Sequence, residues 1–432
     1  MAEGSVDPAG PGAETAGAVE EWRRMRQAGA DGAAEGPAGG TVLLLAVGCG
    51  VVVANLYYSQ PLIALIGPAV GLGPVASSLL VTLTQLGYAA GLLLLVPLGD
   101  LVENRRLVVA TLCPVVLALL AAAVSSSALP FLLAALVIGL GSSVAQMLVP
   151  IAAHLTPAAS RGRVVGNVMA GLLLGILLAR PVASLVADTL GWRAVFVGSA
   201  AATAGLTVLL AVQLPRRQPE GGMAYGALLR SLWPVLRDTP VLQRRATYQA
   251  ALFCGFSLFW TAVALHLAGE PFHLSQRGIA LFALAGVSGA VAAPLAGRLA
   301  DRGHTRAGTG AAMLAVLAAF LLAFAMPDSL PALVVAALLL DLGVQASLVL
   351  GQRTIYALGP ETRSRLNGLH AACFFLGGAV GSALVGAVFT AGGWRAVSAL
   401  GAVIVLAALV FFAGEFRGGR GDGTGTPSEP PR

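Results

Sequence analysis

Two ionisable side chains, Arg180 and Asp341, stand alone inside long apolar runs. Arg180 precedes the Gly191-Trp192 turn signal by about eleven residues, and Asp341 follows Pro331 by about ten. At about 1.5 Å per helical residue, both lie roughly 15 Å from the nearest helix end. A lone charge at that depth of a bilayer costs at least about 2.5 kcal/mol, so each requires a partner or an aqueous cavity. The two are therefore expected to face each other or to share one cavity. An acid so placed can do proton chemistry. Burial penalises its charged form, a nearby arginine stabilises it, and a ligand or a change of conformation can tip the balance. Asp341 is the proton-coupling candidate and Arg180 its partner. A static structural ion pair is the alternative.

Asp341, Gln345 and Gln352 stand at i, i+4 and i+11, within about 40° of one another on a helix. An apolar helix with one polar stripe turns that stripe toward water or a ligand. Three other apolar runs carry polar groups: Asn55, Tyr57, Tyr58 and Gln60; Ser142, Ser143 and Gln146; and Gln249, Ser257, Trp260, Thr261 and His266. The tyrosines also fit the role of membrane-interface anchors. The candidate cavity residues are Asn55, Tyr58, Gln60, Gln146, Gln249, Trp260, Gln345 and Gln352. A cavity of amides, hydroxyls and rings suits a moderately apolar or zwitterionic organic molecule. A polyanion would need several inward arginines, and only Arg180 qualifies. The four cysteines lack metal-ligand spacing, so no metal or other cofactor is expected. There is no His-Glu-x-x-His and no serine nucleophile elbow. A phosphate-binding Gly-x-x-x-x-Gly-Lys loop is excluded, because all 26 basic residues are arginine. These absences argue against an enzyme and against an ATP-driven pump, which leaves a proton gradient as the energy source.

The elements that must position these groups are membrane helices. The chain is 57% hydrophobic and only 11% charged, with a mean hydropathy of +0.84, whereas a soluble domain carries about 25% charge. Apolar runs of roughly 20 residues recur, each long enough to cross a bilayer as a helix. Twelve spans are expected, near 41–66, 75–99, 105–126, 130–154, 163–188, 193–213, 243–268, 277–298, 307–327, 331–357, 365–391 and 395–414. They divide into an N-terminal six-helix bundle (39–214) and a C-terminal one (243–415), joined by a polar cytoplasmic linker (215–242). The flanking segments 1–38 and 416–432 read as cytoplasmic tails, the first of them disordered. Most arginines fall on tails and loops of one side, and only Arg193, Arg277 and Arg395 fall on the other. That bias places both termini in the cytoplasm of a multi-pass plasma-membrane protein. It also accounts for the pI near 9.6 without nucleic acid. The partners expected are the lipid bilayer, a small organic substrate and protons, with the chain a monomer.

The two halves repeat each other. Arg163, Gly166, Gly175 and Trp192 correspond to Arg365, Gly368, Gly377 and Trp394 at one common offset, and Asp100 corresponds to Asp301 at nearly the same one. Parallel repeats around a central pathway are a transporter pattern. Gly297, Leu299, Asp301, Arg302 and Arg306 follow the second span of the second half. Leu98, Asp100, Arg105 and Arg106 follow that of the first half, where Val96 replaces the glycine and Leu101 the basic neighbour. With twelve spans in two halves, these loops resemble the major facilitator superfamily, over roughly residues 40–415. The resemblance implies an all-α fold of two pseudo-symmetric six-helix bundles, with spans one, four, seven and ten lining the central cavity. It also implies a latch in which Asp100 and Asp301 join the bundles in one conformation and release in another. The latch set is Asp100, Arg105, Arg106, Gly297, Asp301, Arg302 and Arg306. Gly171, Gly175 and Ala179 put small residues every fourth position on span five, which permits close packing. That stripe partly matches the glycine-rich motif of the family's antiporters, with Ile176 in place of its proline.

The first functional reading is a proton-coupled exporter of small amphipathic organic compounds, either drugs or the cell's own metabolites, working by rocker-switch alternating access. The second is an importer or uniporter of an organic metabolite. A membrane sensor or enzyme is the third.

Overall fold

The computed structural model describes residues 39–219, 224–359 and 363–418. The expected tail 1–38 and most of 416–432 lie outside them. The described residues form helices and turns, with no strand among them. The first half comprises α1 (Gly39–Ala54), α2 (Ile63–Ala69), α3 (Leu79–Leu94), α4 (Asn104–Val124), α5 (Ala128–Ser142), α6 (Val144–His154), α7 (Arg161–Leu190) and α8 (Trp192–Gln213). After α9 (Tyr225–Asp238) come α10 (Pro240–Ala268), α11 (Gln276–Ala283), α12 (Ser288–Asp301), α13 (Thr305–Ala325), α14 (Leu330–Tyr356) and α15 (Arg363–Gly418). Ten helices among the described residues are long and apolar enough to cross a membrane. A count of twelve requires taking the two arms of α15 separately and adding α1, which at 16 residues is shorter than a bilayer needs.

The duplication has a structural basis. Gly191 has φ 84 and ends α7. Gly393, at the same offset as the other repeats, has φ 61 and breaks α15 into two arms. Both backbones need the left-handed region that glycine occupies cheaply. Trp192 then packs edge-on against Phe131 and Phe196, each 6.0 Å away. Trp394 instead stacks on His266, at 4.9 Å.

Helix packing repeats as well. The α1–α7 contact is close enough that a Cβ on Gly175 would lie 2.3 Å from the Gly50 carbonyl oxygen, and one on Gly171 2.2 Å from that of Ala46. In the second half, α10 packs against α15 in the same way. A Cβ on Gly377 would lie 2.2 Å from the Ala250 oxygen, and one on Gly381 2.1 Å from that of Cys254. Without a hydrophobic driving force between helices in lipid, such backbone approach is a principal source of association. Across the halves, α3 packs on α15 and α7 on α11.

Two sequence expectations need correcting. The first span is not a continuous helix over 41–66. α1 ends at Ala54, and residues 55–62 make successive tight turns, such as Leu56 N–H to the Val53 oxygen and Tyr57 N–H to the Ala54 oxygen. Pro61 supplies no N–H to carry the helix onward. The linker is not uniformly polar either, since it contains the amphipathic helix α9. Its Leu228 is buried, and Leu232, Val235 and Leu236 pack on Leu242, Ile355, Leu366 and Leu369. Trp233, on the opposite face, is 67% exposed.

Candidate functional site

The halves are joined on the side opposite α9. There Thr82 and Ser382 share a hydrogen bond of 3.0 Å, and Gln85 Nε2 donates to Ser257 Oγ at 2.7 Å. Arg277 pairs with Asp188 at 3.4 Å. On the α9 side lies a cavity of about 170 Å³ lined by residues of both halves, among them Leu92, Asp100, Gln146, His154, Arg365 and Leu369. Above it α9 spans the halves: the Tyr225 hydroxyl donates to the Leu94 oxygen at 2.8 Å. This conformation is closed on the far side. Thr82→Cys with Ser382→Cys puts two sulfurs where the hydroxyls now touch, within reach of disulfide geometry. Oxidation is expected to arrest transport and reductant to restore it, as measured by uptake into proteoliposomes before and after each treatment.

At the centre, where the halves meet, Arg180 of α7 is only 3% exposed and Asp341 of α14 only 4%. Arg180 Nε donates to Gln60 Oε1 at 2.9 Å. Its guanidinium carbon lies 4.9 Å from the Tyr57 ring centroid, 5.2 Å from that of Phe256 and 4.5 Å from that of Trp260. Each cation–π contact contributes about 0.5–2 kcal/mol, the upper end where water is excluded. Together the rings offset part of the lost hydration of the guanidinium. Trp260 Nε1 donates to Asp341 Oδ2 at 2.9 Å. A Cβ on Gly286 would be 3.5 Å from Asp341 Oδ1 and 3.9 Å from Arg180 Nη1, so both side chains end at this one glycine. Yet Arg180 and Asp341 form no direct ion pair among the described residues.

The turns at 55–62 account for this assembly. By ending α1 early, they direct Tyr57 and Gln60 to Arg180 and turn Asn55 away. Asn55 Oδ1 accepts from Ser199 on α8, inside the first bundle, and Tyr58 lines an outer groove between α1 and α7. Neither joins the central cluster, which corrects their expected place in the cavity. Gln60, Trp260, Arg180 and Asp341 are brought together. Gln249 lies apart on α10, its Nε2 3.4 Å from the Val344 oxygen. Gln146 lines the α9-side cavity. The expected stripe on α14 is divided: Gln345 packs where a Cβ on Gly289 would lie 3.0 Å from its Cγ, and Gln352 Nε2 reaches Asn367 at 3.5 Å. Sequence reasoning missed Phe256, although it sits one turn before Trp260, and missed Gln85.

The latch residues are at the α9 side. Asp301 is bound to Arg353, a residue of its own half, and a Cβ on Gly297 would be 3.4 Å from Arg353 Nη2. Asp100 is exposed at the cavity and makes no ion pair among the described residues. Arg106 pairs with Glu103 at 3.5 Å, and the Arg105 N–H donates to Asn104 Oδ1. Arg302 and Arg306 are exposed. In this conformation neither aspartate joins the two bundles.

Two all-helical bundles meeting around buried polar groups, with one face closed and a cavity toward the other, define a membrane carrier. The chain belongs to the Major Facilitator Superfamily, whose family model matches residues 45–306 and 246–430. It is 40% identical over 369 residues to the "Uncharacterized transporter YgaY" of Escherichia coli O157:H7, covering 85% of this chain and 94% of that one. It is 37% identical over 380 residues to the "Probable transporter SCO4007" of Streptomyces coelicolor, covering 86% and 88%. In fold it is similar to a bacterial homologue of the human lysosomal transporter Spinster (TM-score 0.72, 15% identity, 90% of this chain and 98% of that one). It is also similar to the nucleoside transporter NupG (TM-score 0.71, 15% identity, 87% and 100%). The protein is thus a multi-pass membrane transporter and not an enzyme.

Proposed function

We propose that the protein couples the movement of a small amphipathic organic compound to protons, with export as the first reading of its direction. Asp341 is the proton site, and the two bundles rock about the central cluster. The observation that carries this reading is the meeting of buried Arg180 and Asp341, from opposite halves, at the interface that must open and close. A proton gained or lost there alters the cost of keeping the halves together. The small-residue stripe on α7 supports export through its similarity to the antiporters of the family. The bias of arginines to one side supports a plasma-membrane protein with both termini cytoplasmic. Uptake is the second reading, favoured by the unpaired buried donors at the cluster, Arg180 Nη2 and Gln60 Nε2.

The test uses purified protein in liposomes that enclose a pH dye, offered a panel of antibiotics, dyes and metabolites. A compound that moves together with a change in lumen pH is expected. Movement without any pH change overturns the coupling. Direction is read in an efflux-deficient host: lower accumulation than in the empty strain marks export, and higher accumulation marks uptake.

A further inference from the structure

Arginine can only donate hydrogen bonds. The Gln60 amide oxygen therefore faces Arg180 Nε, and its NH₂ group must point elsewhere. That nitrogen, Gln60 Nε2, is buried with no acceptor, as is Arg180 Nη2. Ser184 Oγ, one helical turn beyond Arg180, is likewise buried and unpartnered. Leaving such donors unmade costs about 1–3 kcal/mol each, more when charged. Native interiors keep few of them, and each calls for an explanation. Asp341 does not resolve the deficit, since it is held by Trp260 and makes no ion pair with the guanidinium.

We infer that the compound carried has a single anionic group of carboxylate type, which docks on Arg180 Nη2 and Gln60 Nε2 where the two bundles meet. The guanidinium fork matches a carboxylate in shape as well as charge. Tyr57, Phe256 and Trp260, already around the cation, offer apolar surface to the rest of the molecule. One arginine at the centre accommodates one negative charge, not two. The cavity beside Arg180 and Trp260 is about 10 Å³, roughly the room of one water molecule, so the anion enters only when the halves part.

This rests on the reading of the cluster as the coupling site, and it sets the sign of coupling. Arg180 and Asp341 together are neutral, and a bound anion adds one negative charge to a buried interface. A proton on Asp341 restores neutrality, so proton and anion share the loaded state and cross together, which favours the second reading, uptake, over export. The titratable groups facing Asp341 are Arg180, from α7, and Tyr57, from the turn after α1. α10 contributes only the Trp260 N–H, and the turn between α11 and α12 only Gly286.

The test is thermal unfolding of the full-length protein with ligands matched in body and different in head group. Phenylacetate, phenylacetamide and phenethylamine form one set; hexanoate, hexanamide and hexylamine form another. In at least one set the carboxylate is expected to raise the midpoint while the amine does not. Arg180→Gln is expected to weaken the apparent affinity at least tenfold. If that variant fails to fold, Arg180→Lys, which keeps the charge without the fork, serves instead. Gln60→Glu supplies an internal carboxylate and is expected to abolish the shift in a folded protein. An amine or amide as the better ligand, no shift from any carboxylate, or an undiminished shift in Gln60→Glu each overturns the inference. Proton movement in liposomes separates the two readings. Carboxylate binding without it removes the coupling and leaves the anion site. Proton movement with an amine removes the anion site and leaves the coupling.

Discussion

Asp341→Asn abolishes proton-driven accumulation but leaves exchange of the compound across the membrane intact. Asparagine has nearly the shape of aspartate, and its oxygen can still accept from Trp260 Nε1, the bond that holds Asp341 Oδ2 at 2.9 Å. What is lost is the group of the central cluster suited to release and regain a proton near neutral pH as the bundles move, since arginine stays charged and a phenol stays neutral there. A pH difference of one unit is worth about 1.4 kcal/mol per proton, a tenfold concentration ratio at equilibrium. Wild type in proteoliposomes should approach about tenfold accumulation under that gradient, and Asp341→Asn about onefold. Counterflow against preloaded compound should continue in both, because it needs binding and rocking but no net proton. Retained accumulation would place coupling elsewhere. The other buried candidate is His370 of α15, which lies beside Arg245 of α10; loss of coupling in His370→Gln alone would move the proton site there. His266 is not such a candidate: it stacks on Trp394 and its Nε2 is engaged with the Pro327 oxygen at 2.9 Å.

Whatever is set by repetition and helix period was legible in the sequence. The common offset between the halves reappears as two left-handed glycines before two tryptophans. The stripes of small residues reappear as two closely packed helix pairs. Counting residues from the turn signals put Arg180 and Asp341 at similar depth, and in the structure they end at the same glycine. The facing of side chains beyond a break was not legible. Consecutive helical residues point about 100° apart, so the turns after Ala54 redirect every later side chain. Gln60 and Tyr57 thereby reach Arg180, while Asn55 and Tyr58, close neighbours in sequence, face Ser199 and the outer groove. The α14 stripe was regular, but α12 and α15 cover different lengths of it, so Asp341, Gln345 and Gln352 meet three different surroundings. α9 was hidden by its composition. Its leucines are interrupted by Gly226, Arg230, Ser231, Pro234 and Arg237 and show as one face only when they meet the ends of α14 and α15.

Gly175→Val is expected to yield no folded transporter, whereas Gly198→Val, on α8, is expected to be tolerated. The two glycines differ in what a side chain would meet. At Gly198 no atom lies within 4 Å of an added Cβ. At Gly175 the added Cβ would fall 2.3 Å from the Gly50 oxygen and 2.5 Å from its Cα, which are backbone atoms that no change of rotamer can move. Overpacking a core usually costs about 1–3 kcal/mol because side chains give way. Here two helices must separate along their length, and the cost should exceed that range. Their separation would also displace the turns at 55–62 and Arg180, on the two elements that the contact joins, so any residual protein should lack transport. Size-exclusion profiles and thermal midpoints of detergent-purified protein check both outcomes. A monodisperse Gly175→Val with a wild-type midpoint would show that α1 and α7 do not depend on this approach. The second half supplies an internal control. Gly377→Val meets the Ala250 oxygen at 2.2 Å and should fail in the same way, because the duplicated glycine makes the same contact in the duplicated bundle.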